Sequence, residues 1–169
     1  MPLVKTQAEG INLADTFAFT GTISGTSLAG EDAFCANSGA SSWASISAGS
    51  IVVFNNDSSN DNFDTGNRFD TSTYKYSARA DGVYLFWYSM YTAENGTTNA
   101  FGFLKDSTTV QMDADSAGYF TFHTNTSNDH IQNGKIVIPL SANETIAVVA
   151  RYQSDYYRGY SMFGGCRLA

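Results

Sequence analysis

The sequence predicts an all-β fold, a jelly-roll sandwich preceded by a short extended N-terminal arm. Three observations lead there. Short β-branched or aromatic runs recur along the chain, separated by clusters of Gly, Asn, Asp and Ser. No ten-residue stretch shows the apolar period of a helix. Aromatic residues make up 14% of the 169 positions, with 12 Phe and 10 Tyr, enough to build one core without metals or disulfides. Many short strands with turn signals between them are the pattern of a sandwich or jelly-roll.

Taken in order, residues 1–30 read as an arm and residues 31–169 as the domain. The arm is small, polar and rich in Gly and Thr. Its centre, Thr16 to Ile23, alternates like one strand, and Leu13, Phe17, Phe19 and Ile23 are its apolar anchors. Four such side chains cannot offset the entropy of ordering thirty residues, so the arm is expected to dock on a partner by strand addition. In the domain, Ser50 to Asn55 reads as a strand ending in the turn cluster 56–60. Phe69 to Ala78 alternates around Tyr74 and Tyr76. Asp81-Gly82 is a turn, and Val83 to Tyr91 follows as a strong strand before a second turn at 94–97. Further strands are expected over 101–104, 118–124, 135–140, 145–152 and 159–168.

The strand Val83 to Tyr91 is apolar on both faces. One carries Tyr84, Phe86, Tyr88 and Met90; the other carries Val83, Leu85, Trp87 and Tyr91. A strand with one face in water would alternate with polar residues. One face therefore meets the core, and the other meets another copy of the chain or is covered by the chain's own loops. Val83, Tyr84, Leu85, Phe86, Trp87 and Tyr88, with Phe163 from the last strand, are the candidate core and intersubunit residues.

From this strand outward the sequence resembles the globular head domain of complement C1q, which shares its jelly-roll with tumour necrosis factor. Ala33-Phe34 matches the start of that pattern, Val52-Val53-Phe54-Asn55 its second block and Asn62-Phe63-Asp64 its Asn/Asp loop. Tyr76, Ala78, Gly82, Tyr84 and Phe86 fall in register with the central motif. Leu140 to Ile146 matches the late turn and Phe163 to Leu168 the closing strand. Tyr74 and Arg79 stand where the family often has Gly and Pro, and Asn143-Glu144 replaces Gly-Asp, the marks of a distant member. The resemblance implies a C1q/TNF-like jelly-roll and a homotrimer. It also implies that Cys35 and Cys166, on the first and last strands, lie near each other. Without an export signal, two free thiols are expected rather than a disulfide. No Gly-X-Y repeat precedes the domain, so a collagen stalk is not expected.

The arm resembles something else. Gly10-Ile11-Asn12-Leu13-Ala14-Asp15-Thr16-Phe17-Ala18-Phe19-Thr20-Gly21-Thr22-Ile23-Ser24-Gly25 looks like a leader on structural, tail-fibre-like or capsid-appendage proteins of marine bacteriophages. That resemblance implies a virion protein assembled in the host cytoplasm, with the arm bound to other virion proteins. The first residues lack the apolar stretch of a signal peptide, in keeping with that route.

Composition and motifs narrow the chemistry. The net charge is −7, and nine scattered Lys and Arg make no basic patch, so neither nucleic acid nor an anionic membrane surface is an expected partner. No apolar run is long enough for membrane insertion. No nucleophile elbow, P-loop, dinucleotide fingerprint or zinc-protease motif occurs, and an enzyme is not expected. His123 and His130 read as exposed loop histidines. No cofactor is expected apart from Ca²⁺, for which Asp57, Asp61 and Asp64 form the densest oxygen-ligand cluster. The other reading of that cluster is a solvated turn.

Loops rich in Tyr, Asn, Ser and Gly have the composition of adaptable binding surfaces. Asn95, Asn99, Asn125, Tyr156, Tyr157 and Arg158 are their candidate ligand-facing residues, and Tyr rings there could stack on sugars. The expected function is thus a trimeric phage virion structural protein, a fibre, knob or appendage. Its head would display or bind a host surface glycan or protein. The rival readings are a capsid decoration or tail component without a receptor, and a cellular C1q-like lectin or adhesin.

Overall fold

The computed structural model describes residues 32–39, 41–55, 62–92, 98–106, 119–124 and 130–169. Twelve strands run through them: β1 (Ala33–Asn37), β2 (Trp43–Ile46), β3 (Phe63–Asp64), β4 (Phe69–Asp70), β5 (Lys75–Ser77), β6 (Gly82–Thr92), β7 (Thr98–Lys105), β8 (Tyr119–Thr124), β9 (His130–Leu140), β10 (Thr145–Ala150), β11 (Ser154–Tyr157) and β12 (Met162–Arg167). A single 3₁₀ turn, Arg158–Tyr160, separates the last two strands. The strands pair antiparallel into two sheets. The first has the order β2-β11-β6-β12-β1-β3 with β9 on the other side of β6; the second is β4-β5-β10-β7-β8.

The core lies between the sheets and is built by strand alternation. Along β6, Tyr84, Phe86, Tyr88, Met90 and Thr92 point inward and are fully buried. Phe34 stacks on Tyr76 at 4.8 Å and on Phe69 at 5.2 Å, and it meets Phe163 edge-on at 4.9 Å. The second sheet contributes Phe101, Phe103, Ile146 and Val148. Tyr84 and Tyr88 satisfy their hydroxyls by donating to Ala80 O at 2.8 Å and Phe101 O at 2.7 Å. Buried rings with bonded hydroxyls fix the two sheets against each other.

The structure corrects several expectations. Tyr84, Phe86, Tyr88 and Phe163 belong to the core and cannot line an axis between copies. Only Val83, Leu85 and Trp87 of the candidate set face outward. Residues 69–78 form a hairpin, not one strand: Tyr74 has φ 59°, and Asp70 accepts bonds from Ser72 and Thr73 that close the turn. Residues 50–55 make a single bridge, Ile51 to Val149, although Val52 and Phe54 are fully buried as their pattern requires. His130 is half-buried at the start of β9, and His123 falls within β8; neither position is a loop. Both cysteines are free thiols, as expected. β1 and β12 are neighbours as expected, but Cys166 is paired with Ala33, so Cys35 stands diagonal to it. Diagonal neighbours are about 7–8 Å apart, at or beyond the reach of a disulfide.

Candidate functional site

Among the described residues, the outer face of the first sheet is left uncovered. On β6 it carries Val83, Leu85, Trp87, Ser89 and Tyr91; on the paired β9 it carries Pro139, Val137, Lys135, Asn133 and Ile131. Val137 and Ile131 are 59% and 58% exposed, and Val83 is also exposed. β12 adds Cys166 beside Leu85 and Met162 beside Ser89. A strip of isoleucine, leucine, valine and tryptophan side chains in water is the signature of a contact surface.

The two ends of this face differ. The lower end holds Asp32 and Ala169: Arg167 N donates to Asp32 O at 3.0 Å, and Val83 N donates to Ala169 O at 2.9 Å. At the upper end, β2 and β11 pair with Trp43 opposite Tyr157, Ala44 opposite Tyr156, Ser45 opposite Asp155 and Ile46 opposite Ser154. Alternation sends Tyr156 and Ile46 into the core and leaves Trp43, Ser45, Asp155 and Tyr157 outside. The single β11 to β6 pairing, Tyr156 with Thr92, sets the outward Tyr91 beside them.

The 3₁₀ turn completes the group. Arg158 N donates to Ser42 O at 3.0 Å, and the buried Ser161 hydroxyl donates to Tyr157 O at 2.8 Å. Tyr91 N in turn donates to Ser161 Oγ at 3.2 Å. These bonds hold the turn against β6 and present Tyr160, 65% exposed, next to Tyr157. Ring centroids are 5.4 Å apart for Trp43 and Tyr157, 5.8 Å for Trp43 and Tyr91, 5.5 Å for Tyr91 and Tyr160, and 4.9 Å for Tyr157 and Tyr160. Four rings thus form one platform of edge-on and tilted contacts. Beside it lies a shallow pocket of about 360 Å³ lined by Trp43, Ala44, Ser45 and Asp155. The Ser45 hydroxyl donates to Asp155 Oδ1.

Of the ligand-facing candidates, Tyr157 and Arg158 reach this platform. Tyr156 does not, being a core residue, and Asn99 is fully buried in β7, where its carbonyl accepts from Gln132 Nε2 at 3.1 Å. Asn95 and Asn125 lie outside the described residues, as do the arm anchors Leu13, Phe17, Phe19 and Ile23. Asp57 and Asp61 lie outside them as well. Asp64 sits in β3, and its Oδ2 accepts from Phe69 N at 2.8 Å. Among the described residues no three His, Cys, Asp or Glu side chains gather around a common metal position. Sequence reasoning missed Trp43, Tyr91 and Tyr160 as members of the platform. The available signal was an aromatic residue set among small polar ones in Ser41-Ser42-Trp43-Ala44-Ser45.

No family model and no curated protein sequence matches the chain. Solved structures do match in fold. The globular domain of zebrafish complement 1qA is 17% identical with a TM-score of 0.60, covering 82% of this chain and 98% of its own. Eiger TNF from S. frugiperda is 15% identical with a TM-score of 0.58, covering 82% and 92%. Murine APRIL is 9% identical with a TM-score of 0.59, covering 81% and 98%. These similarities establish the architecture as a C1q/TNF-like jelly-roll.

Proposed function

We propose that this C1q/TNF-like chain is a phage virion appendage protein, a fibre or knob whose trimeric head meets the host surface. The observation that carries the reading is the polarity of the first sheet. Asp32, which joins residues 1–31 to the sheet, lies at its lower end, and the aromatic platform occupies its upper end. The eleven residues of β6 separate them by roughly 30 Å at ~3.3 Å per residue. An arm attached below holds the platform away from whatever it is anchored to. The uncovered strip between the two ends, with Leu85, Trp87 and Val137, supplies the contact between copies, and the C1q/TNF architecture supports three of them. Support for the virion setting comes from the leader-like arm of residues 10–25.

The test is deletion of residues 1–25. The truncated head should remain folded and trimeric, retain binding to host cells and fail to enter particles. Normal incorporation of the truncated protein would remove the arm as the anchor. A folded, trimeric head that never binds host cells would leave a decoration or tail component without a receptor.

A further inference from the structure

We infer that the platform of Trp43, Tyr91, Tyr157 and Tyr160 is a binding site for an uncharged pyranose, one per protomer. This rests on the recognition role proposed above and names its ligand class. Trp43 and Tyr160 are the exposed members, at 46% and 65%, and both belong to one cluster of touching rings. Large apolar rings that stay wet are suited to a partner with one apolar face. The C–H face of a pyranose is such a partner, and its rim of hydroxyls needs acceptors nearby.

The acceptors are in place. Ser45 and Asp155 are cross-strand partners on the same outward face as Trp43, one pleat further along β2. Same-face and diagonal neighbours at that spacing are about 7 Å apart. That distance is within the span of one sugar ring lying on Trp43 and its exocyclic hydroxyls. The shallow pocket joins the two, being lined by Trp43, Ala44, Ser45 and Asp155. A carboxylate accepts from hydroxyl donors and repels an anionic sugar, and the chain's net charge of −7 adds to that selection. The other uncovered part of the sheet lacks this pairing of rings with a carboxylate. Its Leu85, Val137, Val83 and Ile131 are aliphatic and suit a dry contact between copies.

The experiment is calorimetric titration of the whole chain. The probes are uncharged trisaccharides of glucose, galactose, mannose or N-acetylglucosamine, with sialyllactose as the anionic probe. At least one uncharged trisaccharide should bind saturably in the millimolar range, and sialyllactose should not. Trp43→Ala and Tyr160→Ala should abolish binding, and Asp155→Asn should weaken it about tenfold. All three variants should keep the wild-type oligomeric mass and circular dichroism, since the residues lie on the surface. Failure of every uncharged probe, or preference for sialyllactose, would overturn the inference. Host-cell binding by the same proteins separates the two levels. If cells are bound through Trp43 while no sugar is, recognition at the platform stands and the carbohydrate class falls. If Trp43→Ala or Tyr160→Ala splits the oligomer, the rings are a contact between copies and the site is overturned.

Discussion

Gly134 sits on the inward face of β9 against the Tyr88 side chain, where an added Cβ would collide with two ring carbons and the hydroxyl oxygen. The ring has little freedom to move aside. Its hydroxyl donates to Phe101 O, and its face packs on Phe103 at 5.0 Å. Gly134→Val should therefore destabilise the fold by about 1–3 kcal/mol, measured by urea unfolding, while Lys135→Val, one residue on and exposed, should be nearly neutral. Residue-level reading of the site depended on parity. Tyr156 and Tyr157 are chemically equal neighbours, and only the pairing with β2 decides that the first is core and the second surface. That pairing was illegible because Ser41 to Ser45 sets a lone Trp among small residues and shows no apolar alternation of a strand. Asn99 misled through its polarity, which suggested a loop, whereas it is a buried position of β7 whose backbone carbonyl accepts from Gln132.

Among the elements, the strands with dense apolar and aromatic runs, β6 above all, were legible, and so was the pairing of first and last strands implied by the resemblance. The hairpin β4–β5 was not, because its alternation continues through the turn at Tyr74. What breaks the strand is Asp70. Its carboxylate accepts from Ser72 N at 2.8 Å, Ser72 Oγ at 2.7 Å and Thr73 Oγ1 at 2.9 Å. The side-chain bond from Ser72 is the largest of the effects that lower its pKa from 3.8 to about 2. A carboxylate depressed in the folded state stabilises it above the ordinary pKa and loses that contribution as pH falls through the lowered value. The turn should thus hold to about pH 2, with its contribution fading between 3.8 and 2. Carboxyl-carbon NMR should place the Asp70 midpoint near 2, and a midpoint near 4 would mean the turn bonds are absent in solution. Ser72→Ala should move the midpoint upward.

At the scale of the whole molecule, the first sheet has a dry inner face and an apolar outer face that no other described residue covers, and the same strand supplies both. Phe86 and Val137 therefore make a discriminating pair. Phe86→Asp buries an unpaired charge in the core, at a cost of several kcal/mol, and should prevent folding. Val137 is 59% exposed in the single chain, so Val137→Asp should leave the fold intact and act only on contact between copies. The fold class and the doubly apolar strand were legible from sequence; which face meets which neighbour required the sheet order. Sedimentation of the 169-residue chain at micromolar concentration reads the contact between copies without an intermediary. Three chain masses are expected for the wild type and one for Val137→Asp, with an unchanged circular dichroism spectrum. A stable wild-type monomer, or a trimer indifferent to Val137→Asp, Leu85→Asp and Trp87→Asp together, would contradict that contact.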